Sequence, residues 1–173
     1  TFLCDIFNFY LIKNPTDPFS QFEWLEKTLR SAEILNEEVF IISHIPPGDT
    51  NSMSACSKRF KAIVDRFQNI IKGQFYGHTH DDELKIVPEY FNSTKISGVE
   101  FVAPSLTTYS FQNPSFRVFE MDEDTKILYN YYQYRLNLTE ANSLENGKEP
   151  KWKIAYDANE VRKFFFFFFK NSF

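Results

Sequence analysis

The sequence predicts an α/β fold in which one βαβ unit is followed by mainly antiparallel strands. Three observations lead there. Two segments place apolar residues at helical spacing, and the short runs "EVFIIS" and "QFYG" flank the second of them. From Glu83 onward the pattern changes to short strands separated by turns. With 173 residues, 43% of them hydrophobic, the chain is long enough for one domain with a substantial core, and no stretch of linker composition divides it.

In order along the chain, "TDPFSQFEWLEKTLRSAEIL" reads as a helix. Asp17 is its expected N-cap, Pro18 suits the first helical position, and Phe22, Leu25, Leu29 and Ala32 share a face. "EVFIIS" reads as a buried strand, bounded by charge before it and by "HIPPGD" after it. "SKRFKAIVDRFQNIIK" is the second helix, its face formed by Phe60, Ile63, Val64, Phe67, Ile70 and Ile71, with Gly73 as its stop. "QFYG" is the next strand. The segments "LKIV", "GVEFVAP", "SFRVFEMD" and "KILYNYYQYRL" are the later strands, "NSLENGKEPK" is a surface connection, and "YDANEVRK" reads as the start of a helix.

Several classes are excluded or disfavoured by composition. A net charge of −4 and a pI near 5.4 argue against nucleic-acid binding, which calls for a basic face. No run approaches the roughly 20 apolar residues of a membrane span. "TFLCDIFNFYLI" lacks the basic start and small-residue cleavage site of a signal peptide. The chain opens on Thr1 inside an apolar run, from which a longer parent is expected. Six consecutive phenylalanines after Lys163 have neither helical nor strand periodicity, so residues 161–173 are read as an anomalous tail outside the folded part, 1–160. Cys4 and Cys56, with the sequons at Asn92 ("NST") and Asn137 ("NLT"), lean toward an oxidising compartment with N-glycosylation.

The chemistry concentrates in three histidines. His44 follows the first strand of the βαβ unit, and His78 and His80 follow the second. Parallel strands joined by a right-handed crossover share a carboxyl edge, where open α/β sheets bind ligands. Histidines 34 residues apart are therefore expected to meet, and converging neutral imidazoles point to a transition metal, zinc first. The prolines and Gly48 of "IPPGD" would give a stiff loop with one flexible joint, and Gly77 would ease the turn into "HTH". Asp81 and Asp82 read as a solvated face.

These blocks also carry a resemblance. "GHTH" after a short strand, preceded by a "HIPPG" loop, resembles the second half of the calcineurin-like metallophosphoesterases. The ordered series "NFYLIKNPTDPFSQFEWL", "VFIISHIPPGD", "FQNIIKGQFYGHTHDDE", "VAPSLTTYSFQNPSFRVFEMD", "LNLTEAN" and "KWKIAYDANE" is similar to acid sphingomyelinase and the acid-sphingomyelinase-like phosphodiesterases. The resemblance implies the second half of a four-layer αββα sandwich and a dinuclear zinc site. His44 and His78 would share one ion and His80 would face the other, with Ser43 where the family often has glycine. It further implies a Cys4–Cys56 disulfide (Cys56 lies farther past the loop than the family places it), a glycan at Asn137, and secreted or lysosomal residence.

The implied substrate is a phospholipid or other phosphodiester, and a membrane surface enters only through it. Sphingomyelin hydrolysis to ceramide and phosphocholine comes first, because "APSLTTY" and "NPSFRV" look closer to that branch. Nucleotide phosphodiesters are the alternative, and a non-enzymatic secreted glycoprotein or degenerate copy is a third reading. The family's D-x-H, G-D and N-H-E motifs are absent from this chain. The resemblance therefore supplies no catalytic acid here. It implies that the missing amino-terminal half is needed for the other ligands and that the chain alone turns over little.

Overall fold

The computed structural model describes residues 5–6, 16–145 and 148–161. The chain forms two compact units, Thr1–Val102 and Ala103–Phe173. No linker marks the boundary in the sequence: a strand ends at Val102 and "APSLTT" follows at once. The phenylalanine run and Cys4 lie outside the described residues.

The first unit begins with a 3-10 turn, Pro18–Ser20, that leads into α1, Gln21–Leu35. Asp17 caps this helix, but from across the turn. Its carboxylate accepts from the backbone N–H of Phe22 at 2.9 Å and of Glu23 at 3.0 Å. Phe19 and Ser20 both have left-handed backbones (φ 54°), so the α-helix starts three residues later than Pro18 suggested. At its other end Asn36 adopts a left-handed C-cap (φ 54°).

Strand β1 is Val39–Ile42, α2 is Ser54–Arg66 and β2 is Ile71–Tyr76. β1 and β2 pair in parallel, as the βαβ reading requires. β3 (Glu83–Pro88) and β4 (Ile96–Val102) complete a sheet of order β1-β2-β4-β3, in which β4 is parallel to β2 and antiparallel to β3. Three expectations change here. α2 stops at Arg66, because Ile71 joins β2 instead of the helix face. Gly73 is consequently a strand residue opposite Phe40, not a helix stop. And β1 is an edge strand among the described residues: only Ile41 of it is buried, while Ile42 is 83% exposed.

Strand alternation sorts the sheet into two faces. One carries the row Ile41, Gln74, Glu100, Lys85, each residue the register partner of the next, together with Tyr76 and Val102. Ile41, Tyr76 and Val102 pack with Phe22 of α1 and with Cys56, Phe60 and Val64 of α2 in the unit's core cluster. On the opposite face Ile42, Phe75, Phe101 and Leu84 form the matching row. There the Phe75 and Phe101 rings stack at 5.7 Å, and Phe40 tilts against Phe75 at 6.0 Å.

The second unit is an antiparallel sheet, β5 (Ser115–Met121), β6 (Leu128–Leu136) and β7 (Trp152–Asp157), in that order. β7 is an element the sequence reading missed; helical residues follow it at 158–161. Phe116 stacks on its partner Tyr134 at 4.8 Å and meets Trp152 edge-on at 4.9 Å. On the other face Arg117 donates through Nε to Gln133 at 2.9 Å and lies 4.3 Å from the centre of the Tyr131 ring. A short helix, α3 (Leu138–Asn142), follows β6, and the Asn137 side chain caps it by accepting from Glu140 N–H. Both parallel and antiparallel pairing are thus present in a mixed α/β chain, and no helix is long and apolar enough to cross a membrane among the described residues.

Candidate metal centre

His44 and His78 meet in the first unit. Each lies just past the carboxyl end of its strand, and two hydrogen bonds extend the β1–β2 ladder beyond the strands to hold those loops together. Ser43 N–H donates to Phe75 O at 3.0 Å and Gly77 N–H to His44 O at 2.9 Å. Nδ1 of His78 lies 3.1 Å from Nε2 of His44, the ring centroids 5.0 Å apart and nearly perpendicular.

The loop after His44 is braced from below. Ile45 and Pro46 are buried, and Gly48 takes a left-handed turn (φ 91°) that a side chain would strain. Its N–H donates to Ser57 Oγ at 3.0 Å, tying the loop to the first turn of α2. The turn returns Asn51 to the site, where its Nδ2 lies 2.9 Å from Nε2 of His78. Asp49, 3.8 Å from the same nitrogen, accepts the backbone N–H of Asn51. Asn51 and Asp49 were not nominated from sequence; Asn51 acts on a histidine 27 residues away.

With the Asn51 amide as donor, Nε2 of His78 accepts, and its Nδ1–H points at Nε2 of His44. Burial, then the neighbouring His78 and His80 imidazoles, hold the pKa of His44 below its ordinary value, while Asp5 opposes them. A neutral imidazole with a lone pair to offer is the form that ligates metal.

The turn into "HTH" is built differently from expectation. The left-handed residues are His78 (φ 75°) and His80 (φ 66°), not Gly77, and a Cβ on Gly77 would meet His44 only at ordinary contact distance. His78 and His80 therefore stand at two separate kinks of the backbone, with Thr79 N–H donating to Gly77 O between them. Asp81 and Asp82 are exposed. Among the described residues, no three His, Cys, Asp or Glu side chains converge closely enough to enclose a metal ion.

The facing nitrogens of His44 and His78 are spaced as two ligands of one ion would be, without a third among the described residues. Two ligands at ~2.0–2.1 Å from a tetrahedral zinc stand about 3.3 Å apart, close to the 3.1 Å between the facing nitrogens. For Nδ1 of His78 to ligate, its Nε2 must carry the hydrogen, so Asn51 would turn its amide to accept through the side-chain oxygen, the outer hydrogen bond that orients a ligating imidazole.

Histidine loops on the common carboxyl edge of a parallel pair, in a mixed α/β chain, are consistent with a metallophosphoesterase-like fragment. No family model matches the chain. It is 39% identical over 162 residues to sphingomyelin phosphodiesterase of Bos taurus, covering 91% of this chain and 25% of that protein. Against sphingomyelin phosphodiesterase 2 of Caenorhabditis elegans the identity is 39% over 173 residues, 92% of this chain and 26% of the relative. The cyclic GMP-AMP phosphodiesterase SMPDL3A of Homo sapiens is 38% identical over 156 residues, 83% of this chain and 33% of the relative. The chain matches the acid sphingomyelinase-like family, in the carboxyl-terminal part of its members. It spans about a quarter of the length of the sphingomyelin phosphodiesterases it matches.

Proposed function

We propose that this chain supplies half of a two-zinc phosphodiesterase centre, and that the protein containing it hydrolyses sphingomyelin to ceramide and phosphocholine. The observation that supports this most directly is the 3.1 Å approach of His44 Nε2 to His78 Nδ1 on the shared strand edge. His44 and His78 would hold one ion and His80 the other. Bound zinc would supply a Lewis acid for the phosphate and an activated water. The chain's own part is to fix imidazole orientation through Asn51 and the braced "IPPGD" loop. With no bridging carboxylate among these ligands, the chain alone turns over little, and the remaining ligands come from the larger part of the domain.

The same reading includes secreted or lysosomal residence, a Cys4–Cys56 disulfide, and glycans at Asn92 and Asn137. Cys56 is not a free thiol. At Asn92 the side-chain oxygen accepts from both the N–H and the hydroxyl of Thr94, a turn exposed to solvent. A second reading, hydrolysis of nucleotide phosphodiesters, is favoured by the 38% identity to the cyclic GMP-AMP phosphodiesterase.

Two experiments test the proposal. Cobalt titration of the chain and of His44→Ala should show weak binding that the substitution abolishes; tight one-to-one zinc would instead mark a self-contained site. Full-length protein should cleave sphingomyelin in preference to cyclic dinucleotide, and the reverse preference would replace the first reading with the second.

A further inference from the structure

The turn between β3 and β4, residues 89–95, reads "EYFNSTK" and sets two aromatic rings directly before a sequon. It is tied at its neck and again toward its tip. Glu89 N–H donates to Lys95 O at 2.9 Å, and Lys95 N–H donates to Asn92 O at 3.0 Å. Asn92 Oδ1 accepts from Thr94 N–H at 3.2 Å and from the Thr94 hydroxyl at 2.6 Å. Only an oxygen can accept from that N–H, so the orientation of the amide is settled by the bond it makes. Both side-chain hydrogen bonds of Asn92 among the described residues thus fall on the oxygen, and neither uses Nδ2.

Phe91, the residue before Asn92, is 89% exposed. Its ring meets that of Tyr90 edge to face, with centroids 4.9 Å apart and 82° between the planes. That contact steadies the two rings against each other and leaves most of the Phe91 ring in solvent. Exposure alone names no occupant, but the sequon does. Attachment of a glycan bonds Nδ2 to C1 of N-acetylglucosamine, with loss of one Nδ2 hydrogen and of the donor's polyprenyl diphosphate. Oδ1 is untouched, so the turn keeps both bonds to Thr94. A sugar so tethered stays one residue from the ring at a high effective concentration, whatever else the protein contains.

From this combination we infer that the β3–β4 turn seats its own modification: the first N-acetylglucosamine on Asn92 packs its C–H face against the ring of Phe91. A pyranose has an apolar C–H face and a rim of hydroxyls. Laid on an aromatic ring, it removes apolar area from water and gains weak C–H contacts with the ring while its hydroxyls stay hydrated. The sugar then holds the hairpin closed from its tip. The inference rests on the glycosylated reading within the proposed function, and adds to it what the sugar touches and what it stabilises.

The test uses the full chain made in a secretory host, with its glycans trimmed by an endoglycosidase to a single N-acetylglucosamine. Mass spectrometry of the peptide containing Asn92 should show the sugar. A bare Asn92 beside an occupied Asn137 overturns this inference alone, whereas bare asparagines at both sites overturn the glycosylated reading and this inference with it. On the occupied chain, the N-acetyl methyl proton resonance should lie upfield in wild type, under the ring current of Phe91, and return to its ordinary position in Phe91→Ser. Phe91→Tyr keeps a ring and should keep the shift. Hydrogen exchange reads the hairpin itself. Protection of the Glu89 and Lys95 amides should fall about fivefold when Asn92→Gln removes the sugar, and should not change with the sugar in the Phe91→Ser background. Equal methyl shifts in wild type and Phe91→Ser overturn the inference. So does an equal loss of protection with and without the ring, which would mark a sugar that acts without touching Phe91. Protection that Phe91→Ser lowers equally in the sugar-free chain overturns it as well, because the ring would then be packing on protein.

Discussion

Glu100 lies in the middle of β4, 2% exposed, on the face that carries the core. Its register partners are Gln74 on one side and Lys85 on the other. Burial raises its pKa from 4.5 to about 7, against the pull of Lys61 on α2 and Lys85 on β3. The carboxylate's anionic form is thus disfavoured in the fold and well solvated in the unfolded chain. Between pH 4.5 and about 7 the folded state binds more protons than the unfolded state, so stability falls as pH rises through that window. Each tenfold change in proton affinity is worth about 1.4 kcal/mol, which puts the full penalty at about 3 kcal/mol above pH 7. Urea unfolding of wild type and Glu100→Gln between pH 4.5 and 8 reads this directly. The variant should gain on wild type as pH rises, by about 3 kcal/mol in all. His44, whose pKa is lowered, pushes the other way as pH falls, but it is common to both proteins and cancels in the difference. Parallel stability curves across the range would refute the argument.

Two further outcomes follow from the geometry. Asn51→Ala should weaken metal affinity about 10–100-fold, because it frees the imidazole of His78 to rotate; competition with a chelating dye measures it, and an unchanged affinity would remove Asn51 from the site. Asp17→Ala exposes two N–H groups at the start of α1 and should cost about 1 kcal/mol in urea unfolding, whereas Asp17→Asn should recover part of that.

What could be read from the sequence was what depends on period and order. The parallel β1–β2 pair, the helix between them and the carboxyl edge shared by His44 and His78 all follow from hydrophobic spacing and chain order. Where two periodicities competed, the reading erred: Ile70 and Ile71 continue the helical face of α2, yet Ile71 pairs with Val39 in the sheet. β7 alternates Trp152, Ile154 and Tyr156 with Lys153, Ala155 and Asp157, a strand signal passed over beside a polar, turn-rich connection. Asn51 was out of reach for a different reason. Its contact with His78 depends on the left-handed turn at Gly48 and on Ser57 anchoring the loop, and no local pattern encodes that path.

The left-handed backbones at His78 and His80 limit which residues those two positions accept. Histidine, asparagine and aspartate tolerate that region better than most, and β-branched residues tolerate it worst. A replacement there changes two things at once, the donor atom and the cost of the turn. Alanine will exaggerate the contribution of the imidazole, because part of the damage comes from the backbone. Asparagine keeps the turn accessible and removes the ring, so the difference between the two replacements separates what the fold needs at these positions from what the proposed metal site needs.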